Sequence, residues 1–323
     1  MKPLRVIFLL ILSLACSVFA RDKVLVFRQG SVNYQEVVNS VKEEVDGEFE
    51  IVDHILDADS SYNDFAKKVR AEKPNLLLLL DNQAVDFARK FNTEKDEFAK
   101  NLKSVAAMGL NLREILKGNK NICGVEYEVP AYSLITNYRF TVDKNIKTAL
   151  VFYRKSEHEM MISTAEKQLA KEGITLKAID TESRGSGKKE VNFFLKRNLI
   201  REIYHKNIDV VWVISDSVMM NNDNFGDVWL NAANRKKVAF ISGISSFASE
   251  EMNFCVYAAS PNHQDLGNQV AQLLFSVLSD GVEPAEIGVE YILSVKKSLN
   301  KKKLREYGFD TRSTRSVDKE AAK

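Results

Sequence analysis

Residues 74–83 read Pro-Asn-Leu-Leu-Leu-Leu-Leu-Asp-Asn-Gln, and this stretch decides the fold. Pro74 stops the helix before it. The five leucines then leave no polar face, so 75–80 suits a strand covered on both sides, as in the centre of a parallel sheet; a strand open to water on one face would alternate. The segments around it agree. Upstream, Lys23–Arg28 and Phe49–Ile55 read as strands. Tyr34–Val45 (Val37, Val38, Val41 and Val45 inward) and Tyr62–Glu72 (Phe65, Ala66 and Val69 inward) read as amphipathic helices. Downstream, Ala84–Phe91 is helical, and Leu102–Met108 and Ile122–Val125 are strands.

A second alternating series begins near residue 146. Its expected strands are Thr148–Tyr153, Thr175–Ile179, Val210–Ile214, Val238–Ser242 and Asn253–Ala258. Its expected helices are Glu157–Glu172, Glu190–His205, Val228–Arg235 and Leu266–Ser279, with Gly281 just past the last. Strand–helix alternation implies parallel sheets with helices on both faces, so two series imply two doubly wound α/β lobes.

The 323 residues are 45% hydrophobic and 28% charged, ordinary values for a chain with a sizeable core. The net charge is +2, and Lys2 and Arg5 account for it, so residues 21–323 are neutral. Such a chain has no global field to draw in polyanions, and no nucleic-acid partner is expected. The N-terminus carries Lys2 and Arg5, an apolar run Val6–Ala15, and small residues Val18 and Ala20 before Arg21. That is the pattern of a signal peptide over residues 1–20, which places the mature protein in the periplasm or elsewhere outside the cytoplasm. Leu14-Ala15-Cys16 offers a second processing route, with lipidation at Cys16. Cys123 and Cys255 remain in the mature chain. Each lies in an apolar segment that suits a buried thiol, although an oxidising compartment would also allow them to pair.

The order of the pieces resembles the type I periplasmic binding proteins, and within them the ABC-transporter substrate-binding proteins of the tryptophan/tyrosine-type group. Ser104–Gly109 followed by Gly118-Asn119-Lys120-Asn121-Ile122-Cys123-Gly124-Val125 is similar to that family's strand, variable loop and "GN-I-GV" strand. Glu128-Val129-Pro130 and Ser133-Leu134-Ile135 follow where its linking helix begins. Tyr257–Leu278, with Asp265-Leu266-Gly267 and Gln269, resembles its "Y-x-x-LG-x-Q" helix. Gly281–Ile287 resembles its "G-x-x-P-x-x-I" turn, and Leu304–Phe309 its final segment. The resemblance covers about residues 23–310 and implies three crossings between lobes, a three-strand hinge. The implied lobes are 21–128 plus 248–281 and 129–247 plus 282–310, with 311–323 a disordered tail.

A ligand would sit between the lobes, at loops following the strands. Small polar groups crowd those positions: Gln29, Ser31 and Asn33 after the first strand, Asn82 and Gln83 after the leucine run, and Glu126 and Tyr127 after the fifth strand. In the second lobe Tyr153, Ser215, Asp216, Ser217, Gly243 and Ser245 hold the same places. Hydroxyls and amides hold a carboxylate and Asp216 an ammonium, so the set fits a zwitterion such as an amino acid. Residues 81–83 are bulkier and more polar than in related proteins, which sets this pocket apart from the usual one.

Enzyme chemistry finds little footing. Gly185–Lys189 resembles a phosphate loop, but Glu182 and Lys189 stand where glycine and serine or threonine are required. The four histidines lie far apart, and no metal or cofactor is expected. The expectation is a monomeric solute-binding protein that hands a small polar ligand to an ABC-transporter permease. The alternative is a sensory or scaffold protein on the same fold.

Overall fold

The computed structural model describes residues 21–308, apart from 58, 143, 206, 236 and 237. The expected signal peptide with Cys16 and the expected tail 311–323 lie outside the described residues.

Strands β1 (Asp22–Arg28), β2 (Phe49–Ile55), β3 (Leu76–Leu80), β4 (Lys103–Ala107) and β5 (Ile122–Glu126) belong to the first half of the chain. The second half supplies β6 (Thr148–Tyr153), β7 (Thr175–Asp180), β8 (Val210–Val213), β9 (Ala239–Ser242), β10 (Tyr257–Pro261), β11 (Val289–Tyr291) and β12 (Val295–Leu299). They form two six-stranded sheets, ordered β11-β5-β4-β3-β1-β2 and β12-β10-β9-β8-β6-β7. The first is wholly parallel, and the second is parallel except for β12 against β10. Place for place the orders correspond, so β3 and β8 hold equivalent positions. The leucine run is central: Leu76–Leu80 are all buried, with β1 on one side and β4 on the other.

Helices α1 (Val32–Glu44), α2 (Tyr62–Glu72), α3 (Asn82–Phe91), α4 (Glu97–Asn101) and α5 (Leu112–Ile115) accompany the first sheet. Next come α6 (Ala131–Val142), α7 (Lys155–Lys171) and α8 (Lys188–His205). A π-helix, Phe225–Leu230, runs into α9 (Asn231–Arg235), and α10 (His263–Leu278), α11 (Pro284–Ile287) and α12 (Lys301–Glu306) complete the set. Among the described residues no helix is long and apolar enough to cross a membrane.

Strand pairing divides the chain differently from the expected boundaries. Residues 248–281 do not stay together: β10 lies beside β9 in the second sheet, while α10 packs on α1 of the first lobe. Ser40 Oγ donates to the Gln264 carbonyl at 2.7 Å, and a Cβ on Gly267 would come within 2.5 Å of Ser40 Cβ, so the glycine sets how closely these helices approach. Residues 282–310 divide too, because β11 pairs with β5 and β12 with β10. The chain therefore crosses between lobes after β5, between β10 and α10, and between β11 and β12. Gln269 ties the last crossing down: its amide donates to the Tyr291 carbonyl at 3.0 Å, and its side-chain oxygen accepts from Leu293 N at 3.3 Å.

Other motif residues have similar duties. A Cβ on Gly124 would sit 2.2 Å from the Ala106 carbonyl oxygen, so β5 can lie this close to β4 only with glycine there. Cys123 and Cys255 are separate buried thiols, and burial pushes Cys123 up to about 12. Trp212 and Trp229 are both core residues, and the Trp229 indole donates to the Met219 carbonyl at 2.8 Å. The strand expected at 253–258 forms four residues later, at 257–261.

Candidate functional site

The strand C-termini of the two sheets supply two polar rims. Gln29, Ser31 and Asn33 are exposed on the first, as are Ser217 and Ser245 on the second. Asn82, Gln83, Tyr127, Tyr153, Ser215 and Gly243 are half-buried. Among the described residues no hydrogen bond or ion pair joins 29–34 or 81–83 to 153–156, 215–220 or 243–247. No polar contact of the protein's own therefore ties one rim to the other among the described residues.

Four of the expected ligand residues serve the scaffold. Asn82 clamps the loop after β4: its amide donates to the Leu110 carbonyl (3.1 Å) and its oxygen accepts from Leu110 N (2.8 Å). That loop holds Gly109, where a Cβ would lie 2.6 Å from Asn82 Oδ1. Gln83 donates to the Ser60 carbonyl at 3.3 Å. Glu126 is buried and accepts from Leu112 N and Arg113 N, the first amides of α5. Asp216, also buried, receives Arg154 Nε at 2.7 Å on one oxygen, and the amides of Val218 and Met219 at 2.7 and 2.8 Å on the other. Both of its oxygens are thus engaged within its own lobe, by a guanidinium that also lies 3.7 and 3.9 Å from Glu157 and Glu182.

The acid with unused capacity is Asp81, the residue that follows the leucine run. It is only 4% exposed. Its Oδ1 accepts from Ala84 N at 2.7 Å and caps α3, but Oδ2 is buried without a partner of good hydrogen-bond geometry. Its backbone sits at φ 137°, ψ 170°, a region suited to glycine that costs other residues about 1–3 kcal/mol. Burial raises the pKa of its carboxyl, and the nearby Gln29 side chain opposes that shift. Tyr34 is close enough that burial, and then the Asp81 charge, push its phenol up. Asp81 follows the leucine run with Asn82 and Gln83, in a loop where the sequence places polar groups near a ligand. The available clue was an acid placed directly after an unbroken apolar strand.

A second group lies at the hinge. The Tyr127 hydroxyl is 2.8 Å from His263 Nε2, their rings stack at 6.0 Å, and His263 Nδ1 is 3.2 Å from Glu36. This links the first crossing, the start of α10 and α1. Burial lowers the His263 pKa, against the opposing pull of Glu36. His263 had been set aside because the histidines are distant in sequence. Among the described residues no cluster of three or more His, Cys, Asp or Glu side chains could hold a metal ion.

A cavity of about 580 Å³ opens beside the first crossing rather than between the rims. Its walls come from α5, β5, β11 and the second lobe's α7.

No family model and no curated protein sequence matches the chain. Solved structures do. The ligand-free, open structure of CD0873, a substrate-binding protein with adhesive properties from Clostridium difficile, aligns over 92% of this chain and 98% of its own, with TM-score 0.67 and 17% identity. An ABC domain in complex with L-Trp from Streptococcus pneumonia aligns over 90% and 96%, with TM-score 0.56 and 17% identity. AraP, an arabinose-binding protein from Geobacillus stearothermophilus, aligns over 88% and 99%, with TM-score 0.56 and 11% identity. Two parallel α/β lobes, three crossings and these alignments together give the chain the type I periplasmic binding fold.

Proposed function

We propose that this chain is an exported solute-binding protein of the tryptophan/tyrosine-type group, which closes its lobes on a small polar ligand and delivers it to an ABC-transporter permease. What supports the reading is that each lobe ends its parallel strands in a polar rim, that no hydrogen bond or ion pair ties one rim to the other among the described residues, and that three chain crossings join the lobes. Lobes joined in this way can close on a solute, and the closed form is a shape that a membrane partner can recognise. The substrate-binding role of the similar structures supports the reading.

Asp81 is the proposed anchor. A ligand ammonium would complete the partners of its carboxylate, and a charge-assisted hydrogen bond in a dry site is about twice as strong as a neutral one. Gln29, Ser31 and Asn33 on one rim, and Tyr153, Ser215, Ser217, Gly243 and Ser245 on the other, supply groups for the remaining polar atoms, with Tyr127 at the hinge. An amino acid fits this set.

The direct test is native mass spectrometry of freshly purified protein, followed by thermal unfolding against amino acids, nucleosides and short peptides. A true ligand at a hundredfold excess over Kd adds about 2.7 kcal/mol of stability. If nothing co-purifies and no member of the panel raises the melting temperature, solute binding of these classes is refuted.

A further inference from the structure

The cavity beside the first crossing has a structural cause. The helix after β4, α5, has only four residues, whereas α3 after β3 has ten. So short a helix covers only part of the sheet edge formed by β5 and β11, where Ile122 and Val289 line the cavity. The far wall is α7 of the second lobe, which contributes Met160 and Met161. The resulting 580 Å³ is within the range of small-molecule sites, and methionines shape themselves to varied apolar surfaces.

One end of this apolar space carries charge. Glu126 and Glu128 both line it. Glu126 is held by two amides of α5, and Glu128 accepts from Asn111 N at 3.1 Å. Among the described residues neither forms an ion pair with a cation. The nearest candidate, Arg113, is engaged elsewhere: its guanidinium donates to the Val289 carbonyl at 2.6 and 3.2 Å and lies 4.1 Å from the centre of the Tyr291 ring. Arg113 and Lys120 also line the space, but with Glu114, Glu126 and Glu128 the acids outnumber them, and two largely desolvated carboxylates without a direct ion pair favour a bound cation.

We infer that this cavity is a second ligand site, distinct from the gap between the rims, which takes a primary amine on an apolar body and rejects acids and zwitterions. The ammonium sits against Glu126 and Glu128, and the apolar body lies along Met160 and Met161. A zwitterion is disfavoured because a carboxylate one carbon from its ammonium would stand beside Glu126 and Glu128.

The test is calorimetric titration of the full chain at neutral pH with 2-phenylethylamine, 3-phenylpropionate and phenylalanine. The amine is expected to bind saturably at one site, and the acid not at all. Glu128→Gln keeps the bond from Asn111 N but removes the charge, and should weaken the amine at least tenfold. Met161→Trp fills the space and should abolish binding. Asp81→Asn, which disables the other site, should leave the amine isotherm in place. The inference is overturned if the unaltered protein shows no saturable amine binding or binds the acid equally well. It also fails if both cavity variants bind normally, or if Asp81→Asn alone removes the amine. Failure here leaves the solute-binding reading standing, since phenylalanine binding that is lost in Asp81→Asn reports on the gap.

Discussion

Asp81 and Asp216 stand at equivalent places, just past β3 and β8, the matching strands of two sheets with one strand order. Both are buried. Asp216 has Arg154 and two amides as partners, and each of its oxygens is used. Asp81 has one well-formed amide bond, a second oxygen without a well-formed partner although the Gln83 amide and the Gln29 side chain lie near its carboxyl, and a backbone conformation that glycine would prefer. The same residue type at the same address is thus scaffold in one lobe and an incomplete, strained group in the other. Strain of this kind gathers where a protein binds something, and a saturated ion pair is where it does not need to. In such a duplicated architecture the asymmetry, rather than the residue identity, marks the site.

The contrast can be broken in several ways. The largest effect is expected from Asp216→Ala, which leaves two amides unpaired and strips Arg154 of its nearest carboxylate, with Glu157 and Glu182 remaining at 3.7 and 3.9 Å, and should cost about 2–4 kcal/mol in urea unfolding. A loss under 1 kcal/mol would mean that Asp216 is no more structural than Asp81. Next, Asp81→Asn should lower affinity for whichever ligand co-purifies by about 1.5–3 kcal/mol, tenfold or more, as read by calorimetry. Asp216 itself cannot be read this way because its removal threatens the fold.

A third acid, Glu128 at the hinge, supplies a pH scale for the comparison. Burial, then the neighbouring charges of Glu126 and Asp216, push it up to about 7. The folded state therefore holds this proton more tightly than the unfolded chain does, so its contribution to stability is present at low pH and is lost as pH rises through about 7. Glu128→Gln should flatten the fall in unfolding free energy between pH 5 and 8 by roughly 1–2 kcal/mol. An unchanged slope would show that Glu128 ionises as freely in the fold as in water. The smallest effect belongs to Asp81→Gly. Relief of about 1–3 kcal/mol of strain is offset by a few tenths for the cap and by about 0.5–1 for glycine's extra chain entropy. The variant should be at least as stable as the parent in thermal unfolding, and a clear loss would mean that the backbone at 81 is not strained.

Most of the architecture was legible because apolar runs are local. The strands at 49–55 and 148–153 and the helix at 62–72 appear with the limits read from pattern alone. The edge strands β11 and β12 were not seen. Val-Glu-Tyr is three residues long, and Val-Lys-Lys-Ser-Leu carries two lysines, so neither shows the apolar run that marks a covered strand. The lobe boundaries went astray for the same reason, since those strands decide which sheet each return of the chain joins. At the rims sequence identified polar residues at strand ends, but it could not tell which ones already had partners. Asn82 turns inward to a loop 28 residues away, and Asp216 to an arginine 62 residues back. Such pairings exist only once the strands are assembled.

The order in which the chain supplies its pieces has a consequence for how the protein comes into being. The first half lacks α10 and its edge strand β11 until residue 291 has been made, and the second half lacks β12 until residue 299. The helix that closes the second half, α12, then inserts Lys303, whose ammonium is fully buried against the Asn253 carbonyl at 2.6 Å and Asn234 Oδ1 at 3.0 Å. Neither core can be finished until most of the chain has been made, and contacts this remote in sequence form slowly. Completion of both lobes thus waits for the last two crossings, and a chain cut before β11 would leave each sheet without its edge strand.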